Sequence, residues 1–267
     1  MILTNTLLRD DRDNVLERVS KIERGGQLQL LVQEPIATDL YRFPIDKSIR
    51  VYVKIQGTTE EKLSLEFLKE FSNIVLFEIQ HAWAIADAEF ISTLAHAKKI
   101  LFGSVLKGSI SIAPLAALNH LEELEILLTP KDIAVLQSLK SLQTLILNRG
   151  KVESLEVIQS LPALTALDLF SLKIESLRGL ENSKIKFLNL QKLPKLNDVS
   201  QLPSLSQLTN LTFNNCTLRK LPKLPHLKEL GLRDVKDFED ASELNNSLQL
   251  ARIFVSGKKS FIPWRAL

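Results

Sequence analysis

The sequence predicts an α/β solenoid, a stack of short coils that each give one strand to a shared parallel sheet. Three observations predict it. The pattern L-x-x-L-x-L recurs along the chain, with Ile, Phe or Val replacing some of the leucines. Its middle positions, Leu124, Leu145, Leu167, Leu188, Leu211, Leu230 and Ile253, lie 21, 22, 21, 23, 19 and 23 residues apart. The chain is 45% hydrophobic but holds only two Tyr, two Trp and one Met, so aliphatic side chains must build the core. Self-similarity at a near-constant period is the sequence sign of a repeat architecture.

The elements follow in chain order. Residues 10–23 read as an amphipathic helix, with Val15, Leu16, Val19 and Ile22 on one face and Gly25-Gly26 as its stop. A terminal coil exposes an apolar face, so this helix is the expected N-terminal cap. Alternating stretches at 28–32 and 49–55 read as degenerate first repeats. Weaker copies follow at Ile74, Phe77 and Ile79, and at Ala97, Ile100 and Phe102. Seven clear copies then run from Leu121 to Val255. The tail SGKKSFIPWRAL offers Phe261, Ile262 and Trp264 to cover the last coil. The expected organisation is a cap with degenerate repeats over 1–70, repeats over 71–256, and a C-terminal cap or tail over 257–267.

The spacing has a physical reading. The L-x-L core has period two, as a half-buried strand does. The chain must come back to the same place, one layer along, about twenty residues later. The return segments are short and partly helical: Ile133, Leu136 and Leu139 stand three apart, as do Leu155, Ile158 and Leu161. A single coil cannot bury its own leucines, whereas stacked neighbours can. Each fully buried Leu or Ile contributes roughly 1.5–3 kcal/mol, which offsets the ordering entropy when several act per coil.

At this point the chain resembles the leucine-rich-repeat family over roughly residues 70–256, in its short, intracellular, bacterial-type form. The stretch LPALTALDLFSLKIESLRGLENSKIKFLNL carries the resemblance best. The resemblance implies a curved right-handed solenoid with a parallel sheet on its concave face and short helices or irregular turns on its convex face. It also implies protein binding at the concave face. The sequence departs from the family at one position. Where the family places an Asn or Cys that bonds backbone between coils, this chain has Thr129, Gly150, Leu172, Leu193, Cys216 and Val235. Only Cys216 fits, and it is read as a ladder residue rather than a nucleophile. The other backbone groups must be satisfied in another way.

If the leucines point inward, their strand neighbours face out. The candidate partner-binding residues are Leu101, Glu123, Glu125, Leu127, Ile146, Asn148, Asp168, Phe170, Phe187, Asn189, Arg233, Arg252 and Phe254. Leu101, Leu127, Ile146, Phe170 and Phe187 fall on adjacent coils and are expected to form one apolar stripe. Apolar patches rimmed by polar groups mark interaction sites.

Other chemistry is weakly signalled. The four histidines share no metal-ligand spacing. The segment 103–109 has phosphate-loop glycines but no Lys after the second one. No catalytic residue, metal or cofactor is predicted. A single cysteine excludes an intrachain disulfide. The opening MILTNTLLRDDRDN lacks a secretory signal pattern, and no apolar run of membrane-spanning length occurs, so a cytoplasmic compartment is expected.

The net charge is +3. Residues 180–267 carry 14 basic and 8 acidic side chains, a net of +6, against 20 and 23, a net of −3, in residues 1–179. The expected function is a non-enzymatic protein-binding module that occupies a partner protein, as an inhibitor, immunity protein or adaptor, and is monomeric when free. The alternative is nucleic-acid binding through Lys184, Lys186, Lys192, Lys195, Arg219, Lys220 and Lys223.

Overall fold

The computed structural model describes residues 2–4, 17–32, 45–56, 62–79, 84–85, 89–103, 111–127, 129–239 and 251–256. The predicted tail 257–267, most of the cap helix and most of the 103–109 segment lie outside them. The strands in chain order are β1 Ile2–Thr4, β2 Gln27–Val32, β3 Arg50–Ile55, β4 Lys62–Leu63, β5 Ile74–Ile79, β6 Ala84–Ile85, β7 Lys99–Leu101, β8 Glu123–Ile126, β9 Thr144–Asn148, β10 Ala166–Phe170, β11 Phe187–Gln191, β12 Asn210–Asn214, β13 Glu229–Arg233 and β14 Arg252–Ser256.

Backbone contacts group the chain into two units, Met1–Leu127 and Leu128–Leu267. In the first unit residues 17–20 are helical and Val19 is buried. Strands β1, β2, β3, β5, β7 and β8 then pair in that order, all parallel. The inward row Leu30, Val53, Phe77, Ile100 and Leu124 is 0–1% exposed. A bulge between Val51 and Tyr52 shifts the β3–β5 register by one residue. Phenylalanines fill this core where leucine does the work elsewhere. The Phe77 ring lies 5.2 Å from Phe90 and 6.3 Å from Phe102, tilted and edge-on, as aromatic pairs prefer.

In the second unit β9 to β14 pair in sequence order, again all parallel, and the L-x-x-L-x-L leucines align rung on rung. Leu145, Leu167, Leu188, Leu211 and Leu230 form one buried row, and Leu147, Leu169, Leu190, Phe213 and Leu232 the next. The first leucine of four of these motifs is fixed before its strand starts. The N–H of Leu142, Leu164, Leu208 and Leu227 each donates to the carbonyl of a leucine three residues earlier. Three return segments carry short helical turns, the α-helix Ile133–Ser138 and 3-10 turns at Glu156–Ser160 and Leu202–Ser204, while those between β10 and β11 and between β12 and β13 are irregular.

The backbone groups that the missing asparagine ladder would serve are met differently. The residue after each of β9 to β13 takes a left-handed conformation: Arg149, Ser171, Lys192, Asn215 and Asp234 have φ of 53°, 58°, 50°, 52° and 49°. Each donates its N–H to the last carbonyl of the next strand, at 2.8–2.9 Å. The ladder positions themselves have joined the core, with Leu172, Leu193 and Val235 at most 3% exposed. Thr129 serves instead as a helix cap. Its N–H donates to Asp132 Oδ2 at 3.0 Å, and its hydroxyl reaches the same oxygen.

Candidate functional site

The outward side chains of the strands form a surface whose rows are set by the pairing register. In the first unit Tyr52, Leu76, Lys99 and Glu123 stand side by side, and Lys54, Glu78, Leu101 and Glu125 form the next row. Cross-strand ion pairs tie them together: Lys99–Glu123 at 2.7 Å and Lys54–Glu78 at 3.2 Å. Glu122 also meets Lys98 at 2.7 Å, so Glu122 and Glu123 are each matched by a lysine of the preceding coil. Partly exposed pairs of this kind fix side-chain geometry more than they stabilise, at about 0–1 kcal/mol each. Leu101 and Leu127 are half-buried beside these pairs.

In the second unit the first outward row is Thr144, Ala166, Phe187, Asn210, Glu229 and Arg252. The second is Ile146, Asp168, Asn189, Thr212, Gly231 and Phe254, and the third is Asn148, Phe170, Gln191, Asn214, Arg233 and Ser256. The expected apolar stripe is corrected here. Ile146 sits in the second row, Phe170 in the third and Phe187 in the first, so no single apolar file joins them.

A polar network occupies the ground between. Asn189 Nδ2 donates to Asp168 Oδ2 at 2.8 Å, and Gln191 Nε2 donates to the same oxygen at 3.2 Å. Asn214 Nδ2 donates to Gln191 Oε1 at 3.4 Å. Further along, Asn210 Nδ2 and the Arg252 guanidinium both donate to Glu229, at 2.7 and 3.0 Å. Lys192 lies over the Phe170 ring, 5.1 Å from its centroid.

Two aromatic side chains stand clear of this network. Phe187 is 50% exposed and Phe254 60% exposed. They lie three strands apart, roughly 14 Å across the sheet at strand spacing. A depression of about 300 Å3 opens over Ala166, walled by Thr144, Ile146, Phe187 and Asn189. Every candidate read from the sequence takes an outward or strand-end position, and none is fully buried. Gln191, Asn210 and Asn214 belong to the surface network and were not singled out. Their strand parity placed them outward; their partners became visible only with the register.

Of the seven basic candidates, Lys192 is engaged with Phe170, and Lys195 stands 3.8 Å from Glu175. Cys216 is buried, and its thiol donates to the carbonyl of Leu190 at 3.3 Å. Burial pushes that thiol up from its usual range, against the smaller opposing effect of nearby backbone hydrogen bonds. Among the described residues no group of three or more His, Cys, Asp or Glu could hold a metal, and no helix is long and apolar enough to cross a membrane.

One strand per coil, a rung-by-rung parallel ladder of leucines, and helical or irregular returns define the leucine-rich-repeat fold, and this chain has it. It is similar to an internalin of Listeria monocytogenes at 18% identity and a TM-score of 0.62, covering 86% of this chain and 75% of that one. It is also similar to internalin C2 of Listeria monocytogenes, at 18% identity and a TM-score of 0.54 over 82% of this chain and 84% of that one. A leucine-rich-repeat protein of Leptospira interrogans matches at 14% identity and a TM-score of 0.54, over 91% and 86% of the two chains. No protein-family model and no curated relative matches the sequence.

Proposed function

We propose that this chain is a non-enzymatic protein-binding module that works by occupying a partner protein through the outward face of its sheet. Inhibitor, immunity protein and adaptor are the roles such a module can fill. The observation that carries the reading is the exposure of Phe187 and Phe254 on a face otherwise held in place by side-chain hydrogen bonds. A large aromatic ring left in water is an anchor that has not yet been buried, and aromatic anchors dominate protein interfaces. Their neighbours are already ordered, so a partner would meet a preorganised surface and spend little entropy fixing it.

In the first unit the reading assigns partner contact to Leu101, Glu123, Glu125 and Leu127. In the second unit it assigns partner contact to Ile146, Asn148, Asp168, Phe170, Phe187, Asn189, Arg233, Arg252 and Phe254. The lone buried thiol suits a reducing compartment, in keeping with a cytoplasmic protein. The test is affinity capture from the source cell with wild-type chain and with the Ile146→Asp and Phe187→Asp variants, each checked for unchanged circular dichroism. A partner held by wild type and lost from both variants supports the face. Folded variants that retain every captured protein overturn it.

A further inference from the structure

A second surface lies away from the strands, in the returning segments, and it originates in coil length. The step from Leu188 to Leu211 is 23 residues, and the next, from Leu211 to Leu230, is 19. Two adjacent coils can share strand register yet differ by four residues only if their return segments part company. The hydrogen bonds show where this happens. The segment around Asp198 pairs backward: Ser176 and Asp198 form a parallel bridge, and the N–H groups of Asn197 and Asp198 both donate to Glu175 O at 3.1 Å. The segment around Thr217 pairs forward: Thr217 bridges Lys236, and Leu218 N–H donates to Lys236 O at 3.0 Å. Each segment turns to its other neighbour, and a groove of about 530 Å3 opens between 197–200 and 218–223.

The lining of this groove has a definite chemistry. Val199, Leu218 and Leu221 supply buried apolar walls. Arg219, Lys220 and Lys223 supply three cations. Among the described lining residues the one carboxylate is Asp198, and it is already engaged, because Ser200 N–H donates to its Oδ1 at 2.9 Å and Gln201 Nε2 to its Oδ2 at 3.3 Å. The volume falls in the range of roughly 300–1,000 Å3 seen for sites that enclose a ligand, against about 30 Å3 for one water. It therefore suits a short run of residues rather than a single ion. The local surplus of positive charge selects an acidic run, and the apolar walls favour one with interspersed aliphatic side chains.

We propose that the groove between residues 197–200 and 218–223 docks an acidic peptide segment of a partner protein, independently of the outward face of the sheet. Arg219, Lys220 and Lys223 meet its carboxylates, while Val199, Leu218 and Leu221 receive its aliphatic side chains.

The experiment measures fluorescence anisotropy of a labelled nonapeptide of three Asp-Glu-Leu units, with its Asn-Gln-Leu counterpart and a labelled twelve-nucleotide single-stranded DNA as comparators. The full chain should bind the acidic peptide at least tenfold more tightly than either comparator. Binding should weaken as salt rises from about 0.03 M to 0.3 M. Amide chemical-shift changes should centre on 197–200 and 218–223. Serine at all three of Arg219, Lys220 and Lys223 should weaken binding at least tenfold. Serine at Lys140, Lys151 and Lys173, which removes the same charge elsewhere, should leave it within twofold, as should Phe187→Asp. Equal weakening by both triple variants would overturn the proposal, since net charge would then be the cause. So would DNA binding as tightly as the acidic peptide, shifts centred on the strands, or no peptide binding at low salt.

Discussion

Gly179→Ala tests whether the coils touch as closely as the structure says. Gly179 has φ +100°, and a Cβ there would stand 2.2 Å from Glu156 N, 2.4 Å from Leu155 C and 2.7 Å from Glu156 Cα. These are backbone atoms of the preceding coil, so no side chain can swing aside. The only relief is to separate the two coils. That lengthens the bond from Leu155 N–H to Arg178 O, now 3.0 Å, and disturbs Leu155, Leu177 and Leu180, all fully buried. The conformational cost of positive φ for alanine is about 1–2 kcal/mol. A weakened backbone bond adds about 1 kcal/mol, and disrupted packing of buried leucines adds about 1–3 kcal/mol. The sum is about 4 kcal/mol. Gly25→Ala is the matched control, because Gly25 has φ +73° but nothing within 4 Å of its would-be Cβ. It should cost only the conformational part, about 1 kcal/mol. Urea unfolding followed by circular dichroism, with amide exchange at Leu155 as the local probe, reads both. If Gly179→Ala costs no more than Gly25→Ala, the close coil-to-coil approach is wrong.

Further outcomes follow from the burial of Cys216 and from the left-handed residues after the strands. Cys216 should react with a thiol reagent at least a hundredfold more slowly in the native state than in urea, because its thiol is buried and held up from its usual range. Its folded pKa lies above the unfolded one, so its stabilising contribution is complete below the unfolded thiol range. It is lost as pH rises through that range towards the folded value. Stability that climbs across alkaline pH in wild type but not in Cys216→Val would contradict this. Separately, Ser171→Gly removes the strain of a left-handed serine and should stabilise by about 0.5 kcal/mol, the relief less the extra freedom of the unfolded chain. Asn215→Gly, at the equivalent place, should be nearly neutral because asparagine tolerates that conformation. A urea midpoint lowered by Ser171→Gly would show that the serine side chain contributes more than its backbone strain costs.

The architecture was legible because two periods coincide in the sequence: two within each strand and about 22 between coils. Together they fix which leucines are buried. The rows of the outward face follow from the same numbers, and an apolar stripe that counts only adjacent coils leaves them out. Ile146 is in register with Asp168, 22 residues on, whereas Phe170 lies 24 residues on and therefore one row across. Adjacent coils do not imply adjacent rungs. The aromatic centre of the first unit was hidden for another reason. Phe90 lies in the 3-10 turn Glu89–Leu94, outside the strand motif, and reaches Phe77 only through the return of the coil. Thr129 looked like a defective ladder position because spacing counts residues and not hydrogen bonds; its bonds to Asp132 show a cap.

The division of labour between inside and outside explains why the site is harder to read than the fold. An inward leucine has one acceptable environment, since a neighbouring coil presses on it from each side, and leaving a cavity there costs about 2–5 kcal/mol. An outward residue meets water or a neighbour across 4.8 Å of sheet, so Phe187, Asn189 and Glu229 can be exchanged with little effect on the fold. The core therefore repeats and the face does not. What varies from coil to coil is where recognition can be written. It varies here in two ways: in the side chains of the rows, and in the lengths of the returns. The second kind leaves the register of β11, β12 and β13 intact while opening the groove behind them. A repeat protein can thus change one surface by substitution and another by insertion, and neither change disturbs the leucine rungs that hold the coils together.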